Sequence, residues 1–238
     1  MMMEDWMPFH TYILQFEQEG LVTRTFRRLD PERQQAILAA ILDEAAERGP
    51  AALNIKAVAA RAGVSVGSLY TYFPNREGML AFAVELCVRF VTDSFNEYRP
   101  FLAALPLREG LAAYLGGGLE WSRMYTGLLK LFARAAYHGD PELADSLVRP
   151  IASLLREMVV DILAAAVERG EVRADMDLAA TTRIVHALTV AVGDSQLLPY
   201  LNTYFQVTGD EVTEERALEA LIDLLLCGIG QEEGDTHE

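Results

Sequence analysis

The chain has 238 residues, a formal net charge of −15 and a hydrophobic content of 51%. That length suits one small and one larger domain with enough buried surface for stability. No apolar run approaches the ~18 residues of a membrane span, so no membrane contact is expected. The start MMMEDWMPF lacks the basic end and apolar core of a secretory signal. Cys87 and Cys227 lie far apart in apolar stretches and read as buried thiols, which makes a reducing, cytoplasmic location the expectation.

Residues 1–27 read as an N-terminal extension. Trp6, Phe9, Tyr12, Ile13 and Phe16 include helical spacings, so the segment is expected to pack on the body or against a partner chain. Its acids Glu4, Asp5, Glu17 and Glu19 argue against contact with a polyanion. Arg24, Arg27 and Arg28 offer either phosphate contacts or a solvated basic face.

Residues 28–75 carry the pattern of a three-helix domain. Asp30 is a good N-cap, Pro31 suits the first helical position, and Glu32 favours the positive helix end. Ile37, Leu38, Ile41, Leu42 and Ala45 form an apolar stripe, which Gly49-Pro50 ends. A second helix runs from Ile55 to Ala62, with Asn54 as its cap. Gly63 interrupts, Ser65 caps a third helix over about Val66–Tyr72, and Pro74 stops it. Two short helices about a glycine turn make a helix-turn-helix, whose second helix enters the major groove. Small Ser65, Gly67 and Ser68 let backbone approach base edges, and Tyr70, Thr71 and Tyr72 offer hydroxyl donors to phosphates. The DNA-contacting set is therefore Asn54, Ser65, Val66, Gly67, Ser68, Tyr70, Thr71, Tyr72 and Arg76, the last at a helix start.

The acidic total is unevenly spread. Residues 20–80 hold eight basic against six acidic side chains, whereas residues 81–238 hold twelve against twenty-five. The reading head keeps a local positive balance, and weak overall attraction limits nonspecific binding.

Helices continue over about 76–98, until Pro100, then over 107–115 and 120–138 with Gly116-Gly117-Gly118 between them. Asp140-Pro141 starts another, Pro150 marks a junction, and Gly170 closes the helix before it. Asp177 to about Leu197 follows, then a loop over 199–212, a final helix over about 214–229, and an acidic tail, 231–238, read as disordered.

Residues 31–80 resemble the N-terminal domain of the TetR (tetracycline-repressor-type) family of bacterial transcriptional regulators. The resemblance rests on Ile37-Leu38-Ala39-Ala40, Ala45, Gly49, Ile55, Val58 and Ala59. It continues through Ala62-Gly63-Val64-Ser65, Gly67-Ser68-Leu69-Tyr70, Tyr72-Phe73, Asn75-Arg76-Glu77 and Leu80. Asn54 stands where Thr is usual and Arg76 where Lys is usual; both keep the capping or cationic role.

The resemblance implies an all-α fold, a helix-turn-helix domain followed by a larger helical ligand-binding and dimerisation domain over 76–230. It implies a homodimer paired through the last two long helices, where Ile184, Leu188, Ala191, Leu218, Leu221, Ile222 and Leu225 form stripes, with burial in the protomer's own core as the competing account. It also implies an effector pocket. Phe101, Trp121, Tyr125, Phe132 and Tyr137 rank first as its lining, pointing to a small apolar or amphipathic molecule, and ordinary core is the competing account.

Enzyme readings fare poorly. Gly193-Asp194-Ser195-Gln196 is superficially like a lipase block but follows a helix, and His186 on that helix cannot complete a triad. His10, His138, His186 and His237 show no metal-ligand spacing, and the triple glycine lacks a following Lys-Ser/Thr. The expectation is a non-enzymatic regulator without cofactor, a repressor that binds a palindromic double-stranded operator and is released by a small hydrophobic effector; the alternative is a helical small-molecule or protein-binding module without DNA binding.

Overall fold

A computed structural model describes residues 7–173 and 175–229, with side chains from residue 11 on. Trp6, the side chains of Phe9 and His10, the acids Glu4 and Asp5, and the tail 231–238 lie outside the described residues. The regular elements of the described residues are helices, and Gly209 and Val212 form an isolated antiparallel pair.

The chain forms two packing units. One takes the chain up to Ser94 together with Met124–Ala152. The other takes Phe95–Arg123 with the chain from Ser153 on. The division does not fall at residue 76.

The first unit opens with α1 (Met7–Gln18) and the single turn α2 (Arg24–Arg27). Then comes α3 (Pro31–Arg48), started by Asp30, whose carboxylate accepts from the Arg33 amide at 2.8 Å. Its stripe Ile37, Leu38, Ile41, Leu42 and Ala45 is buried. Gly49 closes it at φ +86, a conformation that favours glycine. Arg134 lies against that spot and donates to the Glu47 carbonyl at 3.2 Å. A 3₁₀ turn, Pro50–Ala52, leads to α4 (Ile55–Ala62) and α5 (Val66–Tyr72). Helix α6 (Arg76–Ala104) contributes to both units. The first unit is completed by α8 (Thr126–Tyr137), the short α9 (Pro141–Leu143) and a π-helical turn over Ala144–Val148.

The second unit holds α7 (Leu107–Met124), most of α10 (Arg149–Glu168), α11 (Leu178–Leu197), α12 (Pro199–Phe205) and α13 (Glu214–Ile229).

Several element boundaries differ from the sequence reading. Helix α6 continues through Pro100 to Ala104, because Arg169 donates to the Ala103 and Leu105 carbonyls at 2.8 Å each and holds its last turn. Arg99, beside the proline, is anchored on Glu157 and Asp161. Helix α7 runs straight through Gly116-Gly117-Gly118, where buried Leu115 and Leu119 hold it on either side. The break comes instead at Tyr125, whose ring packs edge-on to Phe90 at 4.8 Å. The expected loop 199–212 begins as α12, with Pro199 in the first turn. Gln206, at φ +53, ends it, and the Asn202 carboxamide accepts from the amides of Val207 and Thr208.

Cys87 is buried as expected, whereas Cys227 is exposed; both are free thiols. No helix among the described residues is long and apolar enough to cross a membrane. Among the same residues no group of His, Cys, Asp or Glu is arranged to hold a metal ion.

Candidate nucleic-acid interface

Each helix of the pair α4–α5 is started by a side chain that satisfies otherwise orphaned amides. The Asn54 carboxamide oxygen accepts from Lys56 at 3.0 Å and Ala57 at 3.4 Å. The Ser65 hydroxyl accepts from the Ser68 amide at 3.0 Å. Gly63 makes the turn in the left-handed region at φ +65. Val58, Ala59 and Leu69 are buried beneath the pair, so the opposite face of α5 is left outward.

That outward face carries Ser65, Gly67, Tyr70 and Thr71, all exposed, with Val66 and Ser68 half-buried. Tyr70 is 55% exposed, a large ring that the protein's own core does not use. The Thr71 hydroxyl donates to the Ser68 carbonyl at 2.7 Å while remaining at the surface. A Cβ at Gly67 would meet only Ser65 Oγ, at 3.7 Å, so its lack of a side chain is not demanded by packing.

Two members of the expected DNA-contacting set have protein roles. Tyr72 is only 8% exposed, and its ring packs against Phe26 at 6.1 Å. The Arg76 guanidinium donates to the Pro50 carbonyl at 2.7 Å and to that of Ala51. These two carbonyls hold the guanidinium against the 3₁₀ turn, so it is not held out toward a phosphate. Lys56, passed over in the sequence, is exposed in the first turn of α4 next to the Asn54 cap. Its position two residues after a capping residue was the available signal.

The underside of α4 is tied to α3 by charge. Arg61 reaches Glu47 at 2.5 Å and Glu44 at 3.5 Å, and Arg48 reaches Glu44 at 3.0 Å. The Glu44 side chain is fully buried, and neither of its oxygens has well-aligned hydrogen-bond geometry. The Arg61 guanidinium holds the exposed Glu47 carboxyl below its usual range.

The aromatic residues expected to line a pocket do not gather. Phe101 and Trp121 belong to the second unit, Tyr125, Phe132 and Tyr137 to the first. Phe101 and Tyr137 are exposed; Trp121 packs on Phe95 at 5.1 Å; Tyr125 is buried; Phe132 is half-buried. Within the first unit, a cleft of about 160 Å³ lies between α3 and the start of α8, lined by Leu38, Leu42, Asp43, Tyr125 and Leu128 among others. Within the second unit, α11 carries a polar row of which the sequence reading weighed His186 and Gln196 only as parts of a hydrolase site. Thr182 Oγ1, His186 Nδ1 and Gln196 Oε1 are buried without hydrogen-bond partners. Tyr114 bonds Thr189 on the same helix, and burial pushes its hydroxyl up to about 12. Thr, His and Gln at mixed spacing give no periodic apolar signal, so only burial reveals them.

Ser195 is buried with its hydroxyl donating to the Val192 carbonyl at 2.7 Å, in the same helix as His186. That is a helix-internal bond, not a nucleophile with a base.

Of the residues expected to pair two copies, Ile184 is 62% exposed and Leu188 exposed, with Ala191 and Leu218 half-buried. Leu221, Ile222 and Leu225 are instead buried in the protomer's own core, and the outward position of α13 belongs to Leu224, 65% exposed. A helix turns 100° per residue, so the buried triplet and Leu224 lie on different faces.

Fold and site together define an all-helical protein with an N-terminal helix-turn-helix head followed by a larger helical region. The family model of bacterial regulatory proteins, tetR family, matches residues 37–82. The chain is 28% identical over 134 residues to the transcriptional repressor KstR2 of Rhodococcus jostii, a match covering 56% of this chain and 64% of that protein. It is 25% identical over 194 residues to KstR2 of Mycolicibacterium smegmatis, covering 81% of this chain and 88% of that protein. Among solved structures, a TetR family transcriptional regulator from Chloroflexus aurantiacus superposes with a TM-score of 0.64 at 19% identity, covering 89% of this chain and all of that one.

Proposed function

We propose that this protein is a ligand-responsive, DNA-binding transcriptional regulator, a repressor released from a palindromic operator by a small apolar or amphipathic effector, and that it works as a cytoplasmic homodimer. The observation that carries the reading is the outward face of α5. Exposed Gly67, Tyr70 and Thr71, beside the capping Ser65 and half-buried Ser68, are left outside the protein's own core. Those residue types at a capped helix start suit close approach to base edges and phosphates. The repressor names of the relatives support the sign of regulation.

Helix-turn-helix readers use two half-sites about 34–36 Å apart, which a two-fold dimer supplies. Exposed Ile184, Leu188 and Leu224 are the side chains we assign to that contact. The effector is assigned to the helical region over 76–230. The unpartnered Thr182, His186 and Gln196 atoms favour an effector with a hydroxyl or carbonyl on an otherwise apolar frame, because such a group satisfies buried polar atoms. An effector that prefers a different spacing of the two reading heads releases the operator. The reading of a helical binding module without DNA contact leaves the exposed face of α5 without a use.

The test is selection of bound fragments from random duplex DNA with the purified protein at defined salt. Enrichment of a palindrome is expected. Absence of any enriched site, with no small molecule found by mass spectrometry of the denatured protein, sinks the proposal.

A further inference from the structure

The N-terminal extension is packed into the reading head. Phe16 of α1, Phe26 of α2, Phe73 and Phe82 of α6 are fully buried and contact one another, with ring centroids 5.2–5.6 Å apart. This cluster joins the extension both to the end of α5 and to α6.

Polar contacts mark the two ends of the same path. On α6, Arg89 grips Glu19 with a two-pronged bond at 2.9 and 2.7 Å, donates to Glu85 at 2.8 Å, and lies over the Phe16 ring at 4.9 Å. Tyr12 adds a hydroxyl bond to Asp93 at 2.7 Å. Four residues after Glu19, Thr23 takes hold of α5. Its amide donates to the Tyr72 carbonyl at 2.9 Å and its hydroxyl to the Thr71 carbonyl at 2.6 Å. Those carbonyls lie in the last turn of α5, where helix geometry leaves acceptors without partners. Thr23 also caps α2, and buried Gln34 donates to the Phe26 and Arg27 carbonyls, fixing α2 on α3.

We infer that residues 12–28 form a strap that positions the recognition helix, with Arg89 and Thr23 as its two anchoring side chains. The strap gives α6 a second hold on α5, besides the short link through Pro74 and Asn75. Four residues span at most about 14 Å when extended, so a displacement at Glu19 is delivered to Thr23 with little slack. Neither anchor faces DNA in this role; both act through the placement of α5. The inference rests on the reading of α5 as the DNA-contacting helix.

The experiment uses the full chain, an operator recovered by selection with the wild type, and three variants: Thr23→Val, Thr23→Ser and Arg89→Gln. All are measured below their melting transitions. Amide exchange over residues 66–72 is expected to rise severalfold in Thr23→Val and, although its site is on α6, in Arg89→Gln. Operator Kd is expected to weaken about three- to tenfold in each, the effect of one lost hydrogen bond. The salt slope and nonspecific affinity stay unchanged, Thr23→Ser stays near wild type, and the double variant is no worse than the weaker single one. Wild-type exchange and affinity in Arg89→Gln overturn the strap, as does a double variant whose loss is the product of the two. Absence of any enriched site for the wild type overturns the DNA reading itself, and with it a role for the strap in that reading.

Discussion

The Arg76 guanidinium donates to the Pro50 carbonyl at 2.7 Å, tying the start of α6 to the turn between α3 and α4 across 26 positions of sequence. The cation that the sequence assigns to a phosphate is therefore a fastener of the reading head. Arg76→Ala is expected to cost about 1.5–3 kcal/mol of stability, the range for a hydrogen bond from a charged group. The dependence of log Kd on log salt is expected to keep its wild-type slope. A slope smaller by about one counterion restores the phosphate contact; thermal melts and titrations at three salt concentrations decide.

Gly67 separates folding from function. Its Cβ position is open, with Ser65 Oγ at 3.7 Å as the nearest atom. Gly67→Ala within α5 is expected to raise stability by about 0.5–1 kcal/mol through helix propensity. The same methyl stands on the face assigned to base edges, so operator affinity is expected to fall at least tenfold. Higher melting temperature with unchanged affinity removes Gly67 from the interface.

Glu44 has a fully buried side chain between Arg48 and Arg61. Burying a carboxylate costs solvation that imperfect pairing does not recover, and an apolar residue of like volume is often neutral or stabilising in such a place. Glu44→Leu is expected to melt no lower than wild type. Arg61→Ala is expected to melt lower, because it leaves the buried carboxylate with a weaker partner. Denaturant midpoints compare the two.

Burial holds His186 below its ordinary value of 6.5, with the Arg156 charge acting in the same direction. The unfolded chain therefore takes up the proton first. The His186 contribution is complete above about pH 6.5 and is lost as pH falls from there toward the folded value. The melting temperature is expected to drop between pH 7 and pH 5.5, and His186→Gln to flatten that drop.

Outward and inward positions of the last two long helices predict different phenotypes. Ile184→Glu or Leu224→Glu is expected to leave the protomer folded and to give monomers in sedimentation, with loss of operator binding. Leu221→Ala, inside the core, is expected to cost about 2–5 kcal/mol instead. Dimers that persist in both glutamate variants place the contact elsewhere.

The helix-turn-helix was legible because its signals are local. Asp30, Asn54 and Ser65 cap within three residues, Gly63 turns alone, and the apolar stripe of α3 repeats at helical period. The pairing residues were half legible. A stripe of Leu221, Ile222 and Leu225 announces burial, but not whether the burying surface is the same chain or another.

From the sequence alone follow the helical class, the position of the reading head and the small, polar character of its outward face, because capping, turn chemistry and periodicity act over a few residues. The tertiary structure decided what distant side chains do to that head. Arg76 closes a turn, Tyr72 packs on Phe26, and Thr23 terminates the helix it never adjoins in sequence. The reason is that a guanidinium, a ring or a hydroxyl is satisfied equally well by DNA, water or protein, and only the folded chain determines which partner is within reach.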